Sequence, residues 1–359
     1  MTGRPVLAVV GATGLAGGAV LGILSQHADI WGEIRLIASA RSAGRVLSVR
    51  GTPNRVHALE PGVFDGVDLA LFLVPDDVAE KWAPRAVDAG AVVVDTSAAF
   101  RADPDVPLVV PEVNPHAVRA RPRGIVAGPQ CTTLAMIVAL GALHGEFGLT
   151  GLVVSTYEAV SAAGRAGPEA LWGQLGTLVA EERRANGAGT PAPGTAPGDV
   201  RRVLGRDTGP FPDPVALNVV PWTGAYAADG WTTTERMLRD EPRRVLGLPA
   251  LPVSATCVRV PVVTTHSLTV HARFEHVVSA GRAREILATA PGVVLIDDPE
   301  HGEYPTPVDA AGTDPAWVGR VRADADDPHA LDFFVCADNV RKGRALNAVQ
   351  IAELVVGAR

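Results

Sequence analysis

Val9-Val10-Gly11-Ala12-Thr13-Gly14-Leu15-Ala16-Gly17 decides the fold of this chain. An apolar run from Val6 to Val10 leads into it, and Val20, Leu21 and Leu24 follow at helical spacing, so the stretch reads as strand, turn and helix. Without a Cβ, the glycines let the backbone turn sharply and approach a ligand closely. The helix N-terminus that follows offers free N–H groups to a pyrophosphate. Glycine spacing alone describes only a tight turn; the strand before and the helix after make it a dinucleotide fingerprint, with cofactor contacts expected from Gly11, Thr13, Gly14, Leu15 and Ala16.

Further strands are predicted at residues 34–38, 69–73 and 91–94, with helical stretches between some of them. That alternation predicts an α/β Rossmann domain with a doubly wound parallel sheet, closing near residues 125–127. The second strand ends in Ala38-Ser39-Ala40-Arg41-Ser42, with no acid to hold a ribose diol. Arg41, flanked by Ser39 and Ser42, suits a 2′-phosphate, so NADP is expected rather than NAD; a solvated loop charge is the competing reading of Arg41.

After Cys131 the pattern changes to an apolar helix reaching about Leu143, then β-branched runs at 151–157, 217–220, 257–263 and 268–274. These predict an α+β domain with an antiparallel or mixed sheet. A last helix, from about Asn339 to Val356, is expected to return over the first domain. The expected division is a Rossmann domain at 1–130, completed by 338–359, and a second domain at 131–337. The Gly/Pro/Ala-rich segment between Arg184 and Pro214, including 187–197, reads as a mobile loop.

Composition narrows the function. The 359 residues are 47% hydrophobic and 20% charged, which suits two globular domains. With 32 basic against 39 acidic residues, a net charge of −7 and no Lys/Arg cluster, nucleic acid is not an expected partner. The longest apolar runs, such as 134–143, fall short of the roughly 18 to 20 residues of a membrane span. A strand beginning at Val6 leaves no room for a cleavable leader. Three isolated cysteines argue against a disulfide framework and a structural zinc, so no metal is expected and a cytoplasmic location is.

Cys131 stands in Ala127-Gly128-Pro129-Gln130-Cys131-Thr132-Thr133, ahead of the apolar helix, where the positive end of the helix dipole favours thiolate. Cys257 and Cys336 sit in apolar strand patterns and read as core. Arg259 and His266, on neighbouring stretches of Arg259-Val260-Pro261-Val262-Val263-Thr264-Thr265-His266, offer a carboxylate clamp and an acid/base group. Spacing alone leaves the structural reading of this histidine open.

Taken together, VVGATGLAG, LIASARSAG, AAFRADPDVPLVVPEVN, AGPQCTT, STYEAVSAAG, ALNVVP, TCVRVPVVTTHSLTV, WVGRVRAD and DNVRKGRALNAVQIAEL resemble the aspartate-β-semialdehyde dehydrogenases nearly end to end. The resemblance implies reductive dephosphorylation of β-aspartyl phosphate with NADPH: a cysteine is acylated, phosphate leaves, and hydride reduces the thioester. It implies Cys131 as nucleophile, His266 as acid/base catalyst, Arg259 as clamp on the α-carboxylate, Arg101 in the phosphate subsite and Asn339 near the nicotinamide. A catalytic and dimerisation domain, and a homodimer or homotetramer, are implied in the same way.

The departures from that pattern are as informative. Gln130 replaces a phosphate-contacting asparagine, and Glu158 replaces a glutamine beside the nucleophile. Ionised, Glu158 would oppose thiolate formation and repel phosphate; protonated, it would donate as glutamine does. Leu73-Val74-Pro75-Asp76 stands where a Ser-Ala-Gly-Gly run usually lines the cofactor, and Thr96 replaces an asparagine. Counting back from Gly247, Met237 falls on a phosphate-binding lysine and Thr234 on an acid that recognises the substrate amine; a one-residue slip would put Glu235 and Arg236 there instead. Three functions stay open: the family's reaction; action on another amino-acid-derived acyl or aldehyde substrate in specialised metabolism without phosphate, with Glu158 as a catalytic base; and a non-catalytic binding or regulatory role.

Overall fold

The computed structural model describes residues 3–186 and 198–357, so the glycine-rich stretch 187–197 lies outside the described residues. The first sheet takes β1 (Leu7–Val10), β2 (Ile34–Ala38), β3 (Val46–Val49), β4 (Thr52–Ala58), β5 (Leu69–Phe72), β6 (Val92–Asp95) and β7 (Ile125–Ala127) in the order β3-β4-β2-β1-β5-β6-β7. Every pairing is parallel except the β3–β4 hairpin, which the sequence reading missed. All four residues of β1 are buried, as a central strand covered on both faces requires. Helix Leu15–Gln26 and the final helix Asn347–Gly357 share a core with one face of this sheet.

The second sheet comprises β8 (Leu149–Glu158), β9 (Val253–Arg259), β10 (His266–Phe274), β11 (Val293–Leu295), β12 (Ala316–Ala323) and β13 (Ala330–Ala337), in the order β11-β12-β13-β10-β8-β9. It is mixed: β8–β9 and β11–β12 are parallel and the other pairings antiparallel. Along β8 the side chains alternate, with Leu152, Val154 and Thr156 buried while Val153 and Tyr157 are exposed. Helix Cys131–Phe147 is buried over every residue from Thr132 to Ala139, so it forms the middle of the core beneath this sheet.

Three sequence readings need correction. Helix Gly198–Leu204 stands inside the segment read as a loop. Residues 217–220 form no strand; Leu217 has φ 55° and only Val220 bridges, antiparallel to Arg259. The run 257–263 is strand only as far as Arg259, after which Pro261 interrupts the ladder.

Candidate active site

Strand β7 delivers the chain through Gly128 and Pro129 to Cys131, the first residue of its helix, with Gln130 as N-cap. Cys131 as a residue is half-buried, whereas Cys257 and Cys336 are buried. Burial pushes the Cys336 thiol up to about 12 and raises Cys257 further, leaving both inert. A π-helical turn, Arg341–Leu346, passes close by: a Cβ on Gly343 would stand 2.6 Å from the Cβ of Cys131, so only glycine fits.

His266 opens β10 and is wholly enclosed. Its Nδ1 accepts the N–H of Ala159 at 3.0 Å, while Nε2 has no partner among the described residues. The neutral ring therefore carries its proton on Nε2. The preceding residue, Thr265, has φ 77°, an uncommon conformation for a β-branched side chain. Asn339 holds that turn: its Oδ1 accepts from the Thr265 N–H at 2.8 Å, and its Nδ2 donates to Ser161 Oγ at 2.9 Å.

Glu158 and Arg259 face each other in register on the parallel strands β8 and β9. Arg259 Nη2 lies 3.3 Å from Glu158 Oε2 and its Nη1 donates to the Ala159 carbonyl at 2.6 Å, leaving a buried Nε without a partner among the described residues. The hydroxyls of Thr156 and Thr223 donate to Glu158 Oε1 at 3.3 and 3.4 Å.

A second cluster gathers around Arg101. Its Nε donates to Gly128 O at 2.9 Å and its Nη2 to Thr96 O at 2.6 Å, while Nη1 faces both Glu241 Oε1 and Met237 Sδ at 3.6 Å. Gln130 donates from its backbone N–H to Glu241 Oε2 at 3.0 Å and from its side chain to Thr234 O at 3.1 Å. On helix Thr233–Val245, Met237 faces the arginine and Thr234 touches Gln130. Glu235, expected at the substrate, instead accepts from the backbone N–H groups of Thr232 and Cys257, and Arg236 donates to Ala228 O. Helix capping claims the glutamate because Thr232 starts the helix three residues earlier.

The glycine turn fits a dinucleotide. Gly11 has φ 91° and a Cβ there would strike Leu73 O at 2.3 Å; a Cβ on Gly17 would strike Gly11 O at 2.2 Å. Gly14 caps helix Leu15–Gln26 with no side chain over its free N–H groups. Thr13 Oγ1 meets Ser42 Oγ at 3.5 Å, joining this turn to the one after β2, where Ser39 and Arg41 are exposed.

Residues 6–121 match the model of the semialdehyde dehydrogenase NAD binding domain, and residues 140–342 that of the semialdehyde dehydrogenase dimerisation domain. The aspartate-semialdehyde dehydrogenase of Streptomyces akiyoshiensis is 45% identical over 349 residues, covering 97% of both chains. That of Aquifex aeolicus is 41% identical over 98% of this chain and 97% of its own. The crystal structure of aspartate semialdehyde dehydrogenase II from Vibrio cholerae superposes with a TM-score of 0.88 at 36% identity, over 99% of each chain. The chain belongs to the aspartate-semialdehyde dehydrogenase family. It is therefore an oxidoreductase of the semialdehyde dehydrogenase type.

Charge ties the parts of this semialdehyde dehydrogenase site together. Burial raises the Cys131 thiol above its ordinary range; Arg344 opposes that most strongly, Glu158 adds to it, and Arg101 and Arg259 draw it back. Burial, then Arg259 and Arg344, hold His266 well below the ordinary imidazole range, so it is neutral near pH 7. Burial raises Glu158 too, against the pull of Arg259. Sequence reasoning missed Gly343, Arg344 and Glu241. The last was recoverable: Thr234, Met237 and Glu241 recur at helical spacing, so placing one in the site places all three.

Proposed function

We propose that this chain is an NADP-dependent aspartate-semialdehyde dehydrogenase that interconverts an acyl phosphate and a semialdehyde through a thioester on Cys131. The observation that carries the reading is the buried Nε2 of His266, without a partner among the described residues and under the same two arginines as the Cys131 thiol. The Vibrio cholerae relative, at 36% identity, has been crystallised with ASA, which supports a substrate of that class.

In this reading Cys131, at the positive end of its helix, attacks the acyl carbon; a C–S bond forms and phosphate departs with the bonding pair. His266 donates a hydrogen bond from Nε2 to the oxygen on which charge develops, sharing that proton with it as the thiohemiacetal forms and collapses and the thiolate is released. Arg259 receives the substrate carboxylate, while Arg101 and Gln130 lie on the leaving-group side. The reduced nicotinamide supplies hydride when bound. Backbone N–H groups from Gly11 through Ala16 suit its pyrophosphate, Ser39, Arg41 and Ser42 a 2′-phosphate, and Asn339 the nicotinamide end.

We further propose a homodimer in the cytoplasm. The dimerisation-domain match and the exposed Val153 and Tyr157 on β8 support the first, and three free thiols the second. The decisive assay is phosphate-dependent reduction of NADP by aspartate semialdehyde. Cys131→Ser should abolish it; turnover that survives this change would overturn the reading, and a preference for NAD would overturn its cofactor.

A second reading has one observation in its favour. Met237 supplies no charge beside Arg101, whose own Nη1 faces Glu241, so the leaving-group side is weakly cationic. Turnover unaffected by phosphate would favour an acyl substrate whose leaving group is not phosphate.

A further inference from the structure

Arg259 has its donors committed unequally. Nη1 is spent on the Ala159 carbonyl, Nη2 lies 3.3 Å from Glu158, and the buried Nε has no partner among the described residues. Nε and Nη2 form the side-on fork with which a guanidinium grips a carboxylate. A ligand carboxylate that uses Nε must therefore take Nη2 as well, the nitrogen now opposite Glu158. Both carboxylates cannot be ionised there. Glu158 is 3% exposed and Arg259 8%, so bulk solvent screens two negative charges sharing one guanidinium only weakly.

We propose that a carboxylate-bearing substrate enters this site by exchange with Glu158, which surrenders Arg259 and takes up a proton as the ligand binds. The proposal rests on the reading of Arg259 as the carboxylate clamp and deepens it. Every group facing Glu158 is compatible with the protonated state. Thr156 on β8 and Thr223 in the loop before helix Thr233–Val245 each have a hydroxyl that accepts as well as donates; Cys257 on β9 is a buried, protonated thiol. The charge of Arg259 is then cancelled by the ligand. The ligand carboxylate replaces the single negative charge that Glu158 gives up, so the net charge beside Cys131 and His266 is unchanged by the exchange. A ligand without the carboxylate leaves the Glu158–Arg259 pair in place.

The linkage has a definite sign. Above the titration of Glu158 the free site lacks the proton that the complex holds, so affinity for a carboxylate falls as pH rises, on the order of tenfold per pH unit. Succinate is a suitable probe because it cannot react with Cys131. Calorimetry on the wild-type protein in buffers of different ionisation enthalpy, from roughly pH 6.5 to 9 where succinate is itself ionised, should show uptake rising toward about one proton per ligand. Glu158→Gln should bind succinate more tightly at the alkaline end, with no uptake and a flat pH profile.

Succinate binding without proton uptake across the range, or uptake that persists in Glu158→Gln, would overturn the exchange. If Glu158→Gln does not fold, the wild-type measurement still decides. Arg259→Met separates the two layers of the argument: succinate binding that survives this change, or none in the wild type, would overturn the clamp itself.

Discussion

The Nδ1 of His266 accepts the backbone N–H of Ala159 at 3.0 Å, and that one bond fixes which way the ring can work. A ring with a hydrogen already pointed at Nδ1 keeps its own proton on Nε2, so in its resting state it is a donor. His266→Gln, which retains a donor but cannot shuttle a proton, is expected to lower kcat by about 10²- to 10⁴-fold. Alkylation of Cys131 by iodoacetamide should continue in this variant, which separates lost acid/base work from a collapsed site. The depressed pKa has a second consequence. Below the unfolded value near 6.5, the unfolded chain binds a proton that the folded one refuses, so stability falls as pH drops through that point. Urea midpoints at pH 7 and pH 5 should differ less in His266→Gln than in the wild type.

Arg344 is the largest influence favouring the Cys131 thiolate, and it is exposed. Arg344→Met is expected to move the pH–rate curve for iodoacetamide alkylation to the alkaline side, slowing the reaction a few-fold at pH 8, while Arg344→Lys keeps most of the effect. Because the guanidinium meets solvent, the difference should shrink as salt is added. Curves that coincide would remove Arg344 from the account of thiol reactivity.

Met237→Lys restores a cation against Arg101, with Glu241 at hand to balance it. A charge-assisted contact of about 1.5–3 kcal/mol corresponds to roughly one to two decades of affinity. The KM for phosphate in aldehyde oxidation should fall by that factor while the KM for NADP stays put. An unchanged phosphate KM would mean that phosphate does not visit this side of the thiol.

Gly343→Ala brings a methyl group against Cys131 where none fits. Since a displacement of about 1 Å costs on the order of 100-fold, kcat should drop by that much with little change in melting temperature. Full activity in this variant would show that the π turn yields without moving the sulfur.

The sequence was legible wherever local chemistry decided the outcome. The glycines of the first turn have no alternative, because Gly11 and Gly17 each stand within 2.3 Å of where a neighbouring carbonyl excludes a Cβ. The mixed sheet followed from β-branched runs whose alternation survives in β8. The partnership of Glu158 with Arg259 did not, because it depends on the register of two strands separated by about a hundred residues. Glu235 was misplaced for a related reason: an acid in a helical stretch offers its charge to any partner, and the helix start took it first. Arg344 carried no signal of its own, since its influence arises only once a π turn is laid beside the thiol.

The short stretch that contributes Asn339 to the Thr265 turn, the buried Lys342 to Glu112 and Gly343 to the flank of Cys131 then runs straight into the helix that seals the first sheet. Until this stretch docks, the histidine turn has no brace and the sulfur has no wall. Sealing of the first sheet and arming of the nucleophile are, in this architecture, one event.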